Sequence, residues 1–143
     1  MKSDKDLYTE LKPEEIWKVY RNVEALFRGG GNQGSPRLYG SKGVRARDFK
    51  IFFDHRENLE MVLPDKTKGL SFADSIERLE NLPVRGTVWC LPKGTKLPKG
   101  LVINYKDLDH PLVNVEYKMT VLELMAKLKQ LAILMEKTEV TIR

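Results

Sequence analysis

The clearest periodic segment lies near the end of the chain, where Leu124, Met125, Leu128, Leu131, Ala132 and Met135 recur at the spacing of one helical face. Thr120-Val121-Leu122-Glu123 precedes it as a capping box, and Met119 and Leu124 sit where a hydrophobic staple would form, so the pattern predicts a helix over 121–136. Thr138 to Ile142 then predict a final strand. A second helix is predicted over 72–81, because Ser71-Phe72-Ala73-Asp74 is a Ser-x-x-Asp start and Ile76, Leu79 and Leu82 follow at helical spacing. Pro83 and Gly86 punctuate its exit. A third is predicted over 13–23: Pro13 suits a first turn, Glu14 and Glu15 suit the positive end of the dipole, and Ile16, Val19, Tyr20 and Val23 share a face. Glu24 to Arg28 fit a last turn of that helix.

Between these segments the pattern is shorter or mixed. Gly29 to Pro36 have almost no side chain to bury and predict a flexible loop, a kind of segment that often flanks ligand sites. Residues 44–63 fit neither the helical nor the strand period. Thr87 to Leu91 and Leu101 to Tyr105 are β-prone runs on either side of the turn-rich stretch Pro92 to Gly100, and read as two strands of one sheet. With no repeats, heptads or low-complexity runs, the expectation is a single α+β domain over 1–143, with 1–12 as a flexible N-terminal segment.

The 143 residues, 41% of them hydrophobic, suffice for a core without staples. The single cysteine, Cys90, cannot form an internal disulfide and is expected to be a small buried hydrophobe. No Cys/His cluster has metal-site spacing, so no metal is expected. The charged start and the lack of a long apolar run predict neither a secretory signal nor a membrane span, so export would need dedicated machinery. The net charge of +5 and an isoelectric point near 9.3 favour acidic partners. The cations crowd into Arg37, Lys42, Arg45, Arg47 and Lys50, and into Lys93, Lys96 and Lys99, either of which can meet a phosphate or an acidic protein. Aromatics are not interleaved with these runs, which argues against specific nucleic-acid recognition.

Arg28 stands immediately before the glycine run, where backbone can approach a ligand and a guanidinium can hold a phosphate bidentately; Arg21 is a rival on a helical period. Ser71 serves equally well as a helix cap or as a site residue at a helix N-terminus. His110 follows Asp107 and Asp109, carboxylates able to orient an imidazole for proton transfer, whereas His55 sits in a charged run and reads as surface. Gly29, Gly31 and Gly34 satisfy G-x-G-x-x-G, but Ser35-Pro36 follows in place of a helix, which rules against a dinucleotide-binding βαβ unit.

Leu26-Phe27-Arg28, Gly69-Leu70-Ser71, Leu91-Pro92-Lys93-Gly94-Thr95-Lys96-Leu97-Pro98, Asp109-His110 and a Met119-led helix come in a fixed order. That order resembles the ADP-ribosyltransferase-like toxins that bacteria deliver by type VI secretion, together with related fungal proteins. The resemblance covers roughly residues 26–130. It implies an ADP-ribosyltransferase-like fold, with two small packed β-sheets, flanking helices and an NAD cleft, and a short strand ending at Arg28. It also implies NAD as substrate, Arg28, Ser71 and His110 in catalysis, and Arg28, Leu70, Ser71, Phe72 and His110 against NAD; the Phe72 ring has two readings, a stack on nicotinamide or, as for most aromatics that open a helix, core. Loss of nicotinamide builds positive charge on the ribose, so positioning and electrostatics carry most of such catalysis.

The resemblance further implies a cognate immunity protein that silences the toxin in its producer, and action on a macromolecular target in the recipient cytosol. Two departures weigh against simple transfer. His110-Pro111 stands where the family has His-Tyr, leaving Tyr105 or Tyr117 to supply a ring. The late glutamate pair of other transferases is missing too, although Glu116 is at hand. NAD hydrolysis is therefore an alternative reaction. A basic module binding an acidic protein or RNA without catalysis is the alternative from another class.

Overall fold

The computed structural model describes residues 17–143. The expected N-terminal segment 1–12 and the first part of the 13–23 helix lie outside them. Residues 17–23 form no helix. Instead Val19 exchanges two backbone hydrogen bonds with Ile103, at 3.0 and 2.8 Å, and Arg21 bridges Lys96. The alternate residues of an extended edge can satisfy the same apolar positions as a helical face, and here pairing with a buried strand wins.

Nine strands and two helices follow: β1 Leu26–Gly31, β2 Lys50–Asp54, β3 Leu59–Leu63, β4 Leu70–Ser71, α1 Ile76–Glu80, β5 Gly86–Leu91, β6 Leu101–Asn104, β7 Leu112–Val115, β8 Met119–Thr120, α2 Val121–Leu134 and β9 Glu136–Ile142. They form three three-stranded antiparallel sheets, with orders β1-β5-β9, β2-β3-β8 and β4-β7-β6, so the α+β class holds with three sheets in place of two. The runs at 87–91 and 101–105, expected in one sheet, fall in separate sheets. The ambiguous stretch 44–63 contains the β2–β3 hairpin, where the Asp54 carboxylate accepts from the backbone N–H groups of Arg56 and Glu57 and Asn58 takes a φ of 56°.

The C-terminal helix forms as its pattern requires. Thr120 caps it by accepting from the Glu123 N–H at 3.0 Å, and Leu124, Leu128, Leu131 and Met135 are buried as α2 packs on β3 and β8. It ends at Leu134, and the last strand begins at Glu136. The middle helix is shorter than expected and starts later: Ser75, whose hydroxyl accepts from the Arg78 N–H, caps Ile76–Glu80, and Ser71 lies in β4. The segment ahead of α1 is held in extended form, because Ala73 exchanges paired backbone hydrogen bonds of 2.8 Å with Phe27 of β1. That exchange joins the β1 sheet to the β4 segment.

Glycine has a steric purpose in one strand and immediately before another. At Gly31 a Cβ would stand 2.7 Å from Trp89 Cδ1, and Trp89 donates its indole N–H to the Asn32 carbonyl at 2.9 Å, so Gly29 to Gly31 belong to a strand that admits the indole at close range. The flexible loop expected over 29–36 is therefore confined to the part after Gly31, where Asn32 caps the turn through the N–H groups of Gly34 and Ser35. Gly69, at φ 152°, brings β4 against β7; a Cβ there would meet Leu112 Cβ at 2.6 Å.

The Leu91 to Pro98 stretch, the longest of the family-like segments, wraps around Asn22. The buried Asn22 amide donates to the carbonyls of Glu24, Leu91 and Pro92 at 2.9–3.0 Å and accepts from the Thr95 N–H at 2.8 Å. Thr95 closes the turn through its hydroxyl on the Pro92 carbonyl. Its role is to build the fold, tying the segment before β1 to the end of β5.

Candidate functional site

β1 carries Leu26 into the main core and turns Phe27 toward the smaller cluster of Ala73, Leu79 and Val88, which leaves Arg28 on the face beside the Leu38–Phe49 segment. The β1–β5 register shifts between Arg28 and Gly31, a bulge of the kind that re-aims a strand beside a site. From there Arg28 Nε donates to the Arg37 carbonyl at 2.8 Å and Nη1 donates to the Ser71 carbonyl at 2.7 Å. Burial pushes the guanidinium pKa down to about 10, aided by Arg45 and Arg37 and opposed by the Asp48 carboxylate. Arg28 is charged at neutral pH and is far from the solvated arginine that its surroundings in sequence allow.

Ser71 pairs with Leu112 across β4–β7, and Phe72 continues the pairing by donating its N–H to the Pro111 carbonyl at 2.9 Å. His110 is the residue before that pairing. Its Nδ1 lies 3.7 Å from an Asp107 carboxylate oxygen, and Asp109 instead pairs with Arg78 at 2.8 Å. Arg28, Ser71 and His110 thus line one cavity of about 720 Å³. That volume falls within the range of roughly 300–1,000 Å³ common to small-molecule and cofactor sites.

Five arginines line this cleft, Arg28, Arg37, Arg45, Arg47 and Arg85, and among the described residues no carboxylate does. Asp48, nearly buried, lies behind the wall and takes Arg45 Nε at 2.7 Å. Apolar residues also line it, with Leu79, Leu82, Pro83 and Val84. Such a lining offers charge to an anion and apolar surface to an uncharged ring.

Several expected contributors are placed elsewhere. Leu70 is wholly buried and does not line the cleft. Phe72 touches the cleft but is only 2% exposed, so its ring is core material and not an open stacking face; the partly exposed ring at the cleft is Tyr39. Tyr105 is fully buried with its hydroxyl accepting from the Val23 N–H, and Tyr117 lies near Gly100, so neither replaces a ring at His110. Glu116 accepts from the Tyr20 hydroxyl away from the cleft, and Arg21 donates to the Gly94 carbonyl. Cys90 is half-buried, and burial raises its thiol pKa. His55 is exposed against Phe53. Tyr39 and Arg85 escaped the sequence reading. Tyr39 left no periodic signal, whereas the 37–50 cations were visible as a cluster without an address.

The sheets and the cleft describe a small α+β protein with an arginine-lined cleft. The profile of the Tse2 ADP-ribosyltransferase toxin family matches residues 24–140, and the chain belongs to that family of toxins. No curated protein and no solved structure matches the chain. The matched span contains all five arginines, Ser71 and His110.

Proposed function

We propose that the chain is an NAD-dependent ADP-ribosyltransferase toxin with an ADP-ribosyltransferase-like fold, and that the arginine-lined cleft is where NAD binds as substrate. The observation that carries this reading is a cleft of dinucleotide scale lined, among the described residues, by five arginines and no carboxylate, together with Ser71 and His110. The donor set fits the substrate: guanidinium forks suit a pyrophosphate, and the Leu79 to Val84 surface suits an uncharged ring. NAD, when bound, supplies an ADP-ribosyl group by giving up nicotinamide.

The protein's own residues hold the anion, keep the sugar still and manage a proton. Ser71 offers an exposed hydroxyl to the ribose. His110 has Nδ1 turned to Asp107, which leaves Nε2 to accept the proton that an acceptor group sheds on bonding to the ribose. Membership of the toxin family supports three further parts of the proposal: delivery by type VI secretion, action in a recipient cytosol on a macromolecular target, and a cognate immunity protein in the producer.

The test is expression of the chain under tight repression, with growth and cellular NAD followed after induction. Growth arrest relieved by Ser71→Ala and by His110→Ala, in variants that fold normally, is expected. Steady NAD during arrest supports transfer and falling NAD supports hydrolysis. A folded, well-expressed wild type without effect on growth overturns the toxin reading in favour of a basic binding module.

A further inference from the structure

The cleft arginines differ in what already holds them. Arg28 spends Nε and Nη1 on two backbone carbonyls, Arg45 is ion-paired to Asp48, and Arg85 donates to the neighbouring Val84 carbonyl. Arg37 and Arg47 are exposed and have no side-chain partner among the described residues. Arg37 is also set in place by bare backbone. A Cβ on Gly40 would stand 3.6 Å from Arg37 Nη2, and one on Gly30 would stand 4.0 Å from Arg37 Cδ, so the side chain lies between two glycines at the cleft.

We propose that these cations divide the work: Arg37 and Arg47 grip the pyrophosphate of the dinucleotide, and Arg28 is a positioning residue that fixes Arg37 and Ser71 relative to each other. This rests on the reading of the cleft as the NAD site. A guanidinium with both forks open can form paired, charge-assisted bonds to phosphate oxygens, whereas Arg28, with its Nε–H and one Nη1–H on carbonyls, has lost the side-on fork and keeps only the Nη1–Nη2 end for an anion. Arg28 links the carbonyl of Arg37, nine positions along, to that of Ser71, on another sheet. Its loss would let the gripping loop and the Ser71 strand separate.

The test measures ADP-ribose binding to the full chain by calorimetry, adenosine binding by NMR, and steady-state NAD consumption. Arg37→Ala and Arg47→Ala are expected to keep the wild-type melting temperature and adenosine binding while weakening ADP-ribose roughly tenfold each, the scale of one lost charge-assisted contact. Arg28→Lys is expected to bind ADP-ribose within about threefold of wild type and to lose turnover in kcat with little change in KM. If Arg28→Lys does not fold, Arg28→Gln, which retains amide donors, takes its place. The division of roles is overturned if Arg37→Ala and Arg47→Ala both bind ADP-ribose like wild type, or if a folded Arg28 variant loses ADP-ribose selectively. A wild type that binds neither NAD nor ADP-ribose overturns the NAD reading itself, and this inference with it.

Discussion

Gly69 decides where Ser71 stands. Its φ of 152° and the 2.6 Å that would separate an added Cβ from Leu112 leave no room for a side chain where β4 meets β7. Gly69→Ala is expected to destabilise the protein by about 1–3 kcal/mol, the usual scale for backbone strain of this kind, read from urea unfolding. Activity in the surviving folded fraction should fall further, because the hydroxyl two residues on would move. An alanine variant with unchanged unfolding would show that β4 has more freedom than its contacts allow. Short motifs single out Arg28, Ser71 and His110 in the sequence, and the fold brings them to one cleft for reasons the motifs do not carry. Ser71 looked like a cap because a Ser precedes an apolar period, and the cap is Ser75 because the Phe27–Ala73 pairing keeps the intervening backbone extended. Phe72 looked like a stacking ring because it adjoins the serine, but strand alternation turns it into the core.

Among the elements, α2 was readable almost to the residue, since its cap, staple and stripe are local signals and all agree. The segment at 13–23 carried similar local signals, and in its described part pairing with Ile103 prevails. The β2–β3 hairpin was invisible to periodicity because its strands expose Phe53 and Leu59 and carry apolar residues on both faces. Its register depends on the turn, where Asp54 accepts two backbone N–H groups. Chiefly the hydrogen bond from Glu57, then that from Arg56 and the charge of Lys118, lower the Asp54 carboxyl pKa below 3.8. A folded pKa below the unfolded one means that the contribution is present above the unfolded value and fades as pH falls through the folded one. Asp54→Ala should therefore unfold at lower urea than wild type at neutral pH, and the gap should narrow in strong acid. A gap independent of pH would place its origin outside the carboxylate.

For the whole molecule, a net charge of +5 matters mainly through where it is concentrated. Five arginines at one cleft, one of them paired to Asp48, make a field that draws anions to the mouth. Raising salt from about 0.05 to 0.5 M shortens the screening length from above 10 Å to roughly 4 Å, so ADP-ribose affinity should fall several-fold while adenosine binding is nearly constant. Equal salt sensitivity of both ligands would assign the effect to the fold in place of the arginines. None of this assembly was visible from composition, because the cations of 37–47 meet Ser71 and His110 only after three sheets have packed. Arg28 and Ser71 come from different sheets, and beside them Phe27 and Ala73 exchange a single reciprocal pair of backbone bonds. That pair and the Arg28 bond to the Ser71 carbonyl are two stitches in one seam, so the edge of the cleft is sewn by backbone and by side chain at neighbouring positions.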